Sequence, residues 1–353
     1  SVTEKLINKG LLPKNNIQAY SIHFPGYVND ELDIVKRFAA TCEHIKLNVC
    51  TPNIYEIATN LEQLIFDFDQ PFGSFSHVIH NQVMQKIHKD GIKVVLNGQG
   101  ADEAFYGYGR NIFGYFLMDR LIDSKLDFLK QLKSIHSNLG YQYKMIFSQM
   151  YKALLSKEKS SFLRAKYQEK NIECLNSDFV SNNVAHFNFN YKFSLKGNNL
   201  SNYTIEYLKN TGLNSILHYE DVSSMQASIE MRSPFVDYRL MEFAFSLPDK
   251  LKFDNGLTKK IIRETVGKDL PSYIVDNYKK TSFSSPFTEY MKIKEFKALI
   301  DETLNSESFI NKTIWDHKKI KERFNDPDKY PGFPFWRFLN YELWSKVNNV
   351  SGL

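Results

Sequence analysis

Short apolar runs and longer segments of helical periodicity alternate in the first third of the chain. The strand-like runs are residues 17–24, 45–49 and 92–96. The segments with apolar positions at helical spacing are residues 32–39, 54–65 and 77–88. Strands that alternate with helices predict an α/β fold with a doubly wound parallel sheet.

The rest of the chain has a mainly helical pattern. Residues 112–134 and 143–155 predict long amphipathic helices. Residues 171–203 are rich in Asn, Ser and Phe, and they predict an irregular insertion. Beyond Leu213 the helical pattern returns and ends in an aromatic stripe at residues 336–344, which is typical of core packing.

The composition is that of a globular protein, since 42% of the 353 residues are hydrophobic and 24% are charged. The net charge of +5 is spread without a basic block, so we expect no nucleic-acid partner.

Cys42, Cys50 and Cys174 lack metal-ligand spacing, which favours free thiols in a reducing compartment. No signal peptide and no apolar run of membrane-spanning length is visible. We therefore expect a cytoplasmic protein without membrane association.

The turn after the third strand-like run is the strongest candidate for a binding site. Gly98 and Gly100 allow a tight bend and close approach of a ligand to the main chain. Asp102 and Glu103 follow and open an aromatic segment with helical character. Such a turn at the carboxyl edge of a parallel sheet is where α/β proteins bind nucleotides. The alternative is a structural strand-to-helix turn that Asp102 caps.

Three blocks of sequence carry a more specific signal. They are Asn97-Gly98-Gln99-Gly100-Ala101-Asp102-Glu103 with Gly107-Tyr108, residues 218–237 around Ser228-Ile229-Glu230-Met231-Arg232-Ser233-Pro234-Phe235, and residues 256–264. In this order they resemble the synthetase domain of glutamine-dependent asparagine synthetases, and the similarity runs from about Ala19 to Trp344. It implies a doubly wound parallel sheet of the adenine-nucleotide α-hydrolase (PP-loop ATPase) type. The implied synthetase domain, 1–353, has an α/β nucleotide-binding part, 1–110, and a mainly helical part, 111–353.

The resemblance implies a ligase that makes an amide in two steps. A carboxylate attacks the α-phosphorus of ATP and releases pyrophosphate, and ammonia then displaces AMP from the acyl-adenylate. The implied cofactors are ATP and Mg²⁺, and the implied substrates are aspartate and ammonia from glutamine. The family also has an N-terminal glutaminase domain, and a homodimer is compatible with the resemblance.

Lys259 is the first catalytic residue that the resemblance implies. It matches a lysine that stabilises phosphate charge during adenylation, and adjacent Lys260 is the weaker candidate. Lys259 precedes Arg263 by four residues, so both share one face if this segment is helical. An isolated lysine at such a place is usually a solvated surface residue, and only the motif favours a role. Glu230 and Arg232 are expected to form a structural ion pair that supports the site.

Glu220 and Gln99 are the other catalytic candidates. Glu220 matches an acidic residue beside the lysine, although a shift by one residue would give this role to Asp221. Gln99 stands where well-studied members have a glutamate next to the acyl-adenylate. A glutamine can orient substrate but cannot act as a general base. The proton acceptor for ammonia would then be Glu103, Glu220 or water.

Five residues are the implied binding positions for the nucleotide and the metal. Asp102 matches an aspartate that binds Mg²⁺, a hard cation that prefers oxygen ligands. Gly98 matches a backbone contact to AMP, and Asn97 belongs to the same motif. Ile22 matches an apolar residue near adenine, although it would equally suit an ordinary strand core. Lys280 resembles a loop lysine near the phosphates, in a motif that here has Ser in place of Gly.

One part of the family pattern is not found in this sequence. The Ser-Gly-Gly-x-Asp-Ser loop, which binds pyrophosphate and supplies the first Mg²⁺ ligand, has no match. Residues 1–6 resemble the helix that follows this loop. We therefore expect the first strand, the loop and the glutaminase domain to lie upstream of Ser1, and the chain alone to be inactive or badly impaired.

The sequence is also compatible with other functions. The same adenylation chemistry could serve another carboxylate, as in β-lactam synthetases, lasso-peptide cyclases and polysaccharide-amidating enzymes. The chain could instead be a non-catalytic nucleotide-binding remnant, although the presence of Asp102, Glu220 and Lys259 together favours an enzyme. A tRNA-modifying ATPase of the same superfamily would need a basic face, which the charge distribution does not predict.

Overall fold

The computed structural model describes residues 2–13, 17–154, 174–183, 193–210, 212–277 and 285–350. The strands are β1 (Ile17–Ile22), β2 (Ile45–Cys50), β3 (Val94–Leu96), β4 (Glu230–Arg232), β5 (Phe253–Asp254) and β6 (Leu257–Thr258). The helices are α1 (Val2–Asn8), α2 (Leu32–Ala39), α3 (Ile54–Asp67), α4 (Ser76–Lys89), α5 (Ala101–Ala104), α6 (Gly109–Asp123), α7 (Lys125–Leu139), α8 (Tyr143–Leu154), α9 (Ser177–Asn183), α10 (Asn199–Asn210), α11 (Leu213–Met225), α12 (Tyr238–Ser246), α13 (Asp249–Lys252), α14 (Lys260–Glu264), α15 (Ser272–Val275), α16 (Phe287–Tyr290), α17 (Lys294–Asn305), α18 (Glu307–Asn311), α19 (His317–Asn325) and α20 (Phe335–Val347). Short 3₁₀ segments cover Pro234–Val236, Val266–Asp269 and Pro327–Lys329.

The strands form short ladders. β1 pairs in parallel with β2, β3 pairs in parallel with β4, and β5 pairs with β6 in antiparallel orientation. The three predicted strands are confirmed as β1, β2 and β3, and the α/β character with them. The two parallel ladders are not hydrogen-bonded to each other within the described part of the chain. A single doubly wound sheet therefore stays a prediction.

Helix α4 packs under both parallel ladders. Its residues Val83 and Met84 belong to a hydrophobic cluster that also contacts Tyr20 of β1, Val95 of β3 and Met231 of β4. The two ladders therefore share one covered face. On the opposite face of β3, Leu96 is 69% exposed, although parallel strands are usually covered on both sides.

Two predictions about the helical part are wrong. Residues 112–134 do not form one helix, because the backbone of Ser124 is extended with φ −163° and separates α6 from α7. The predicted irregular insertion contains α9 and the start of α10, although residues 171–173 and 184–192 lie outside the described part. Helix α10 begins where the buried carboxylate of Asp119 accepts the N–H groups of Asn199 and Leu200, at 3.0 and 2.9 Å. Among the described residues, no helix is long and apolar enough to cross a membrane.

The predicted aromatic stripe near the C-terminus is confirmed as core. In α20, Trp336, Leu339 and Leu343 are buried in the largest hydrophobic cluster, together with residues of α3 and α4. The same helix holds the turn before α4. Asn340 Oδ1 accepts the Phe72 N–H at 2.7 Å, and Trp336 Nε1 donates to the Phe72 carbonyl oxygen at 3.0 Å. The end of the chain thus fixes the entry to α4.

Candidate active site

The turn after β3 starts at Asn97 and contains two glycines with different surroundings. The Asn97 N–H donates to the Arg232 carbonyl oxygen at 3.0 Å and extends the β3–β4 ladder. Gly100 has φ +92°, and a Cβ on it would lie 2.5 Å from Val236 Cγ1, so this position requires glycine. A Cβ on Gly98 would meet no described atom within 4 Å. The backbone at Gly98 is therefore open to a ligand.

Amide side chains of this turn hold the Glu220 carboxylate of α11. Asn97 Nδ2 donates to Glu220 Oε2 at 2.8 Å, and Gln99 Nε2 donates to Glu220 Oε1 at 2.6 Å. Ser233 Oγ donates to Asn97 Oδ1 at 2.6 Å and fixes the orientation of that amide. Burial raises the pKa of Glu220, and the hydrogen bonds from Gln99 and Asn97 oppose this effect without cancelling it. Asp221, the other candidate, is exposed and does not share these contacts.

Asp102 and Lys259 form an ion pair at the end of the same turn. Lys259 Nζ lies 2.5 Å from Asp102 Oδ1, and the two side chains are 30% and 16% exposed. A Cβ on Gly107 would overlap Asp102 Oδ1 and lie 2.6 Å from Lys259 Cε. Gly107 therefore makes room for the pair. Asp102 is not the helix cap proposed as the alternative, because Gly100 is the N-cap of α5.

The backbone at Lys259 differs from the prediction. Lys259 has φ +52° and precedes α14 as its N-cap, so the condition for sharing a helix face with Arg263, a helical backbone at Lys259, is not met. Its N–H donates to the Phe105 carbonyl oxygen at 3.1 Å, which ties it to the segment after Asp102. Lys260 donates to Asp254 Oδ2 at 2.9 Å instead. Of the two lysines, Lys259 reaches Asp102.

Glu103 lies behind Asp102 in an aromatic environment. It is 3% exposed and accepts the Tyr108 hydroxyl at 2.9 Å. Burial, and then the negative charge of Glu103, raise the pKa of Tyr108. Tyr207 of α10 packs near Tyr108, with ring centroids 6.0 Å apart, and both line a cavity of about 20 Å³ beside Asp102 and Glu103. The sequence pattern assigned no role to Tyr108 and did not indicate Tyr207, which lies between the predicted irregular insertion and the helical pattern beyond Leu213.

The remaining predicted residues have other surroundings. Ile22 packs against two hydrophobic clusters, as an ordinary strand residue does. Lys280 lies outside the described residues. The predicted Glu230–Arg232 pair is confirmed, with Arg232 Nε 2.8 Å from Glu230 Oε1, but both side chains are more than half exposed. This pair therefore lies on the surface of β4.

A groove of about 800 Å³ lies beside α3 and α4, and its lining includes Asn53, Ile57, Gln82 and Val83. None of the candidate catalytic residues lines this groove.

The residues present are compatible with Mg²⁺ and ATP. No group of three potential metal-ligating side chains is found among the described residues. Mg²⁺, however, commonly takes only one or two protein carboxylates together with substrate phosphates. Asp102 can supply one such carboxylate, and the open backbone at Gly98 leaves room for a nucleotide.

Comparisons with known proteins show the family of the chain. The family model described as asparagine synthase matches residues 7–346. Asparagine synthetase [glutamine-hydrolyzing] 1 of Bacillus subtilis (strain 168) is 23% identical over 358 aligned residues, which cover 94% of this chain and 52% of the relative. Asparagine synthetase [glutamine-hydrolyzing] 3 of the same strain is 28% identical over 115 residues, 31% of this chain and 18% of the relative.

A fungal relative has a different name. Amidase chyE of Penicillium rubens is 22% identical over 319 residues, which cover 80% of this chain and 45% of the relative. The chain spans about half the length of the relatives that match most of it. The family model covers nearly the whole chain, and the chain therefore belongs to the asparagine synthase family.

Proposed function

We propose that this chain is the synthetase part of an ATP-dependent ligase that converts a carboxylate into an amide, with aspartate as the carboxylate. The observation that carries the proposal is the joint placement of two sites on one turn. The Asp102–Lys259 pair supplies charges for a nucleotide, and the Asn97–Gln99–Glu220 cluster supplies a carboxylate with increased proton affinity. Family membership makes this chemistry the expected one.

Lys259 and Asp102 would act in the adenylation step. The substrate carboxylate attacks the α-phosphorus, the bond to the bridging oxygen breaks, and negative charge accumulates on pyrophosphate. Lys259 would stabilise that charge, since a fixed cation near a leaving phosphate lowers the barrier. Asp102 would hold Mg²⁺, which supplies further neutralisation of the phosphates when bound. Both side chains now contact each other, so ligand binding would exchange this contact for contacts with the nucleotide.

Glu220 would act in the amide-forming step. The ammonia nitrogen forms a bond to the acyl carbon, the bond to AMP breaks, and one proton must leave the nitrogen. Gln99 cannot accept it, and Glu103 is buried against Tyr108. Glu220 of α11 is the remaining candidate, and its raised pKa makes it a better base near neutral pH. Gln99 would orient that carboxylate by the hydrogen bond that it donates.

The ammonia source and the carboxylate are further parts of the proposal. Two relatives bear names that include glutamine hydrolysis, which supports glutamine as the nitrogen donor and a glutaminase domain as partner. Gln99 in place of glutamate, together with the relative named as an amidase, supports a second candidate: the same chemistry on another carboxylate.

The test is pyrophosphate release from ATP and Mg²⁺ by the full-length gene product, with and without aspartate. Release that depends on aspartate, with asparagine and AMP formed in equal amounts, is the expected result. Release that requires a different carboxylate would support the second candidate. A protein that binds ATP but releases no pyrophosphate with any acid would contradict the ligase assignment and favour the nucleotide-binding remnant.

A further inference from the structure

Lys252, at the end of α13, is a buried cation that forms no ion pair with a carboxylate of the described residues. It is 1% exposed, and its Nζ lies 4.2 Å from the ring centroid of Tyr106 and 5.5 Å from that of Phe245. An ammonium group over an aromatic face is attracted by the electrons of the ring, and the attraction is stronger where water is excluded. A fully buried lysine is rare because desolvation is costly, so its retention calls for a reason.

The ring that Lys252 contacts belongs to a strained bend. Tyr106 is itself 1% exposed, has φ +60°, and donates its hydroxyl to Asp249 Oδ1 at 2.7 Å. A tyrosine in the left-handed region persists only where its surroundings hold it there. The next residue is Gly107, whose N–H donates to the Asp102 carbonyl oxygen at 2.8 Å. The bend at Tyr106 therefore places Gly107 against the carboxylate of Asp102.

Lys252 also belongs to the segment that presents Lys259. The β5–β6 hairpin begins at the next residue, Phe253, and Lys259 follows directly after it. One buried side chain thus joins the two chain segments that deliver Asp102 and Lys259. We infer that Lys252 is a positioning residue, which sets the geometry of the Asp102–Lys259 pair through its contact with Tyr106.

The charge of Lys252 should make this effect depend on pH. Burial lowers the pKa of Lys252 to about 8, and the nearby carboxylate of Asp249 opposes that shift. The groups that face it are Asp249 on its own helix, Tyr106 from the bend and the uncharged Phe245 of α12. Tyr106 is itself near the charges of Asp249 and Asp119. Above about pH 8 the ammonium becomes an amine, and the attraction to the Tyr106 ring is lost.

The experiment compares Lys252→Met, which keeps the length, with Lys252→Arg, which keeps the charge at all accessible pH values. The inference rests on the proposed function, so the first readout is aspartate-dependent pyrophosphate release by the full-length protein, with Mg²⁺ varied between pH 6 and 9.5. At pH 7 the Met variant should show a roughly tenfold higher KM for Mg²⁺, because Asp102 is then held less well in the position that binds the metal. Its kcat should change less than its KM. In the wild type the KM should rise above about pH 8, and the Arg variant should lack this rise.

A second readout does not depend on activity. Hydrogen exchange at the amides of Gly107 and Lys259, which donate to Asp102 and Phe105, should become faster in Lys252→Met. The matched control is Lys250→Met on the same helix, where the lysine is half exposed and pairs with Asp127, and it should leave both readouts unchanged.

The outcomes separate the two hypotheses. If both Lys252 variants follow the wild type in KM, pH profile and exchange, Lys252 has no positioning role. If Lys252→Met does not fold, the pH profile of Lys252→Arg is the test: a KM that still rises above about pH 8 would contradict the positioning role. If the wild type releases no pyrophosphate, the proposed function fails, and the exchange data still test Lys252.

Discussion

Asp102 and Lys259 neutralise each other at one end of the turn after β3, whereas Glu220 is held at the other end by two neutral amides. The pair brings a carboxylate and an ammonium group side by side, which suits binding of a cation and of phosphates. The amides hold a partly buried carboxylate without supplying a counter-charge, so burial dominates and the pKa of Glu220 rises. One turn thus offers fixed charge on one side and proton affinity on the other.

Removal of the cation should have the largest effect. Lys259→Ala should lower pyrophosphate release by about 10³-fold, because the leaving pyrophosphate loses its fixed positive partner. The matched control is Lys260→Ala, which removes a neighbouring lysine that contacts Asp254 and not Asp102. Circular dichroism should show both variants folded. Near-normal release by Lys259→Ala would remove this lysine from the mechanism.

The proton acceptor should affect the second step selectively. Glu220→Gln should slow amide formation by about 10²-fold, a typical loss for a general base, with a smaller effect on pyrophosphate release. In the wild type, amide formation should decline on the acid side at a pH above the ordinary pKa of glutamate, since burial raises the pKa of Glu220. The variant should lack this decline. Asp221→Asn is the control, and an equal loss in both variants would contradict the assignment.

The glycine beside the ion pair offers a steric test. In Gly107→Ala the added methyl would overlap the Asp102 carboxylate and crowd Lys259, so pyrophosphate release should fall by roughly ten- to a hundredfold, as a displacement of about 1 Å can cost. Gly73→Ala is the control, because a Cβ there meets no described atom within 4 Å. Wild-type activity in Gly107→Ala would show that the pair tolerates displacement.

Acid should lower the free energy of unfolding through two buried histidines of α4, which lie near the helix that carries Glu220. Burial lowers the pKa of His77 and His80 to about 4, and His80 Nδ1 lies 2.5 Å from Ser223 Oγ, one helical turn after Glu220. The unfolded chain binds these protons near pH 6.5. The free energy of unfolding should therefore fall as the pH decreases from about 6.5 to 4, by at most about 3 kcal/mol per histidine.

Urea unfolding at pH 7 and pH 4.5 measures this effect. A variant with His77→Gln and His80→Gln should lose less stability on acidification than the wild type does. His88→Gln, an exposed histidine of the same helix, should behave like the wild type. Equal acid sensitivity in all three proteins would show that other groups cause it.

Local pattern predicted the strands β1, β2 and β3, the helices that flank them and the turn at Asn97, because periodicity and glycine placement are local properties. The pattern did not predict contacts that depend on distant residues. Asp119 starts α10 from 80 positions away along the chain. The short strand β4 pairs with β3, which lies more than 130 residues earlier in the chain. The burial of Lys252 also goes against its polarity, so no hydropathy pattern could predict it.

The contacts of α20 with the turn at Phe72 affect how the protein folds during translation. Asn340 and Trp336 bind a backbone segment that is synthesised 268 and 264 residues earlier. Contacts at such separation slow folding, because the intervening chain must be ordered before they form. A ribosome adds residues at about 5–20 per second, so the turn before α4 must wait at least 10 seconds for its partner. The turn before α4 is therefore held by these two contacts only after residue 340 has been synthesised.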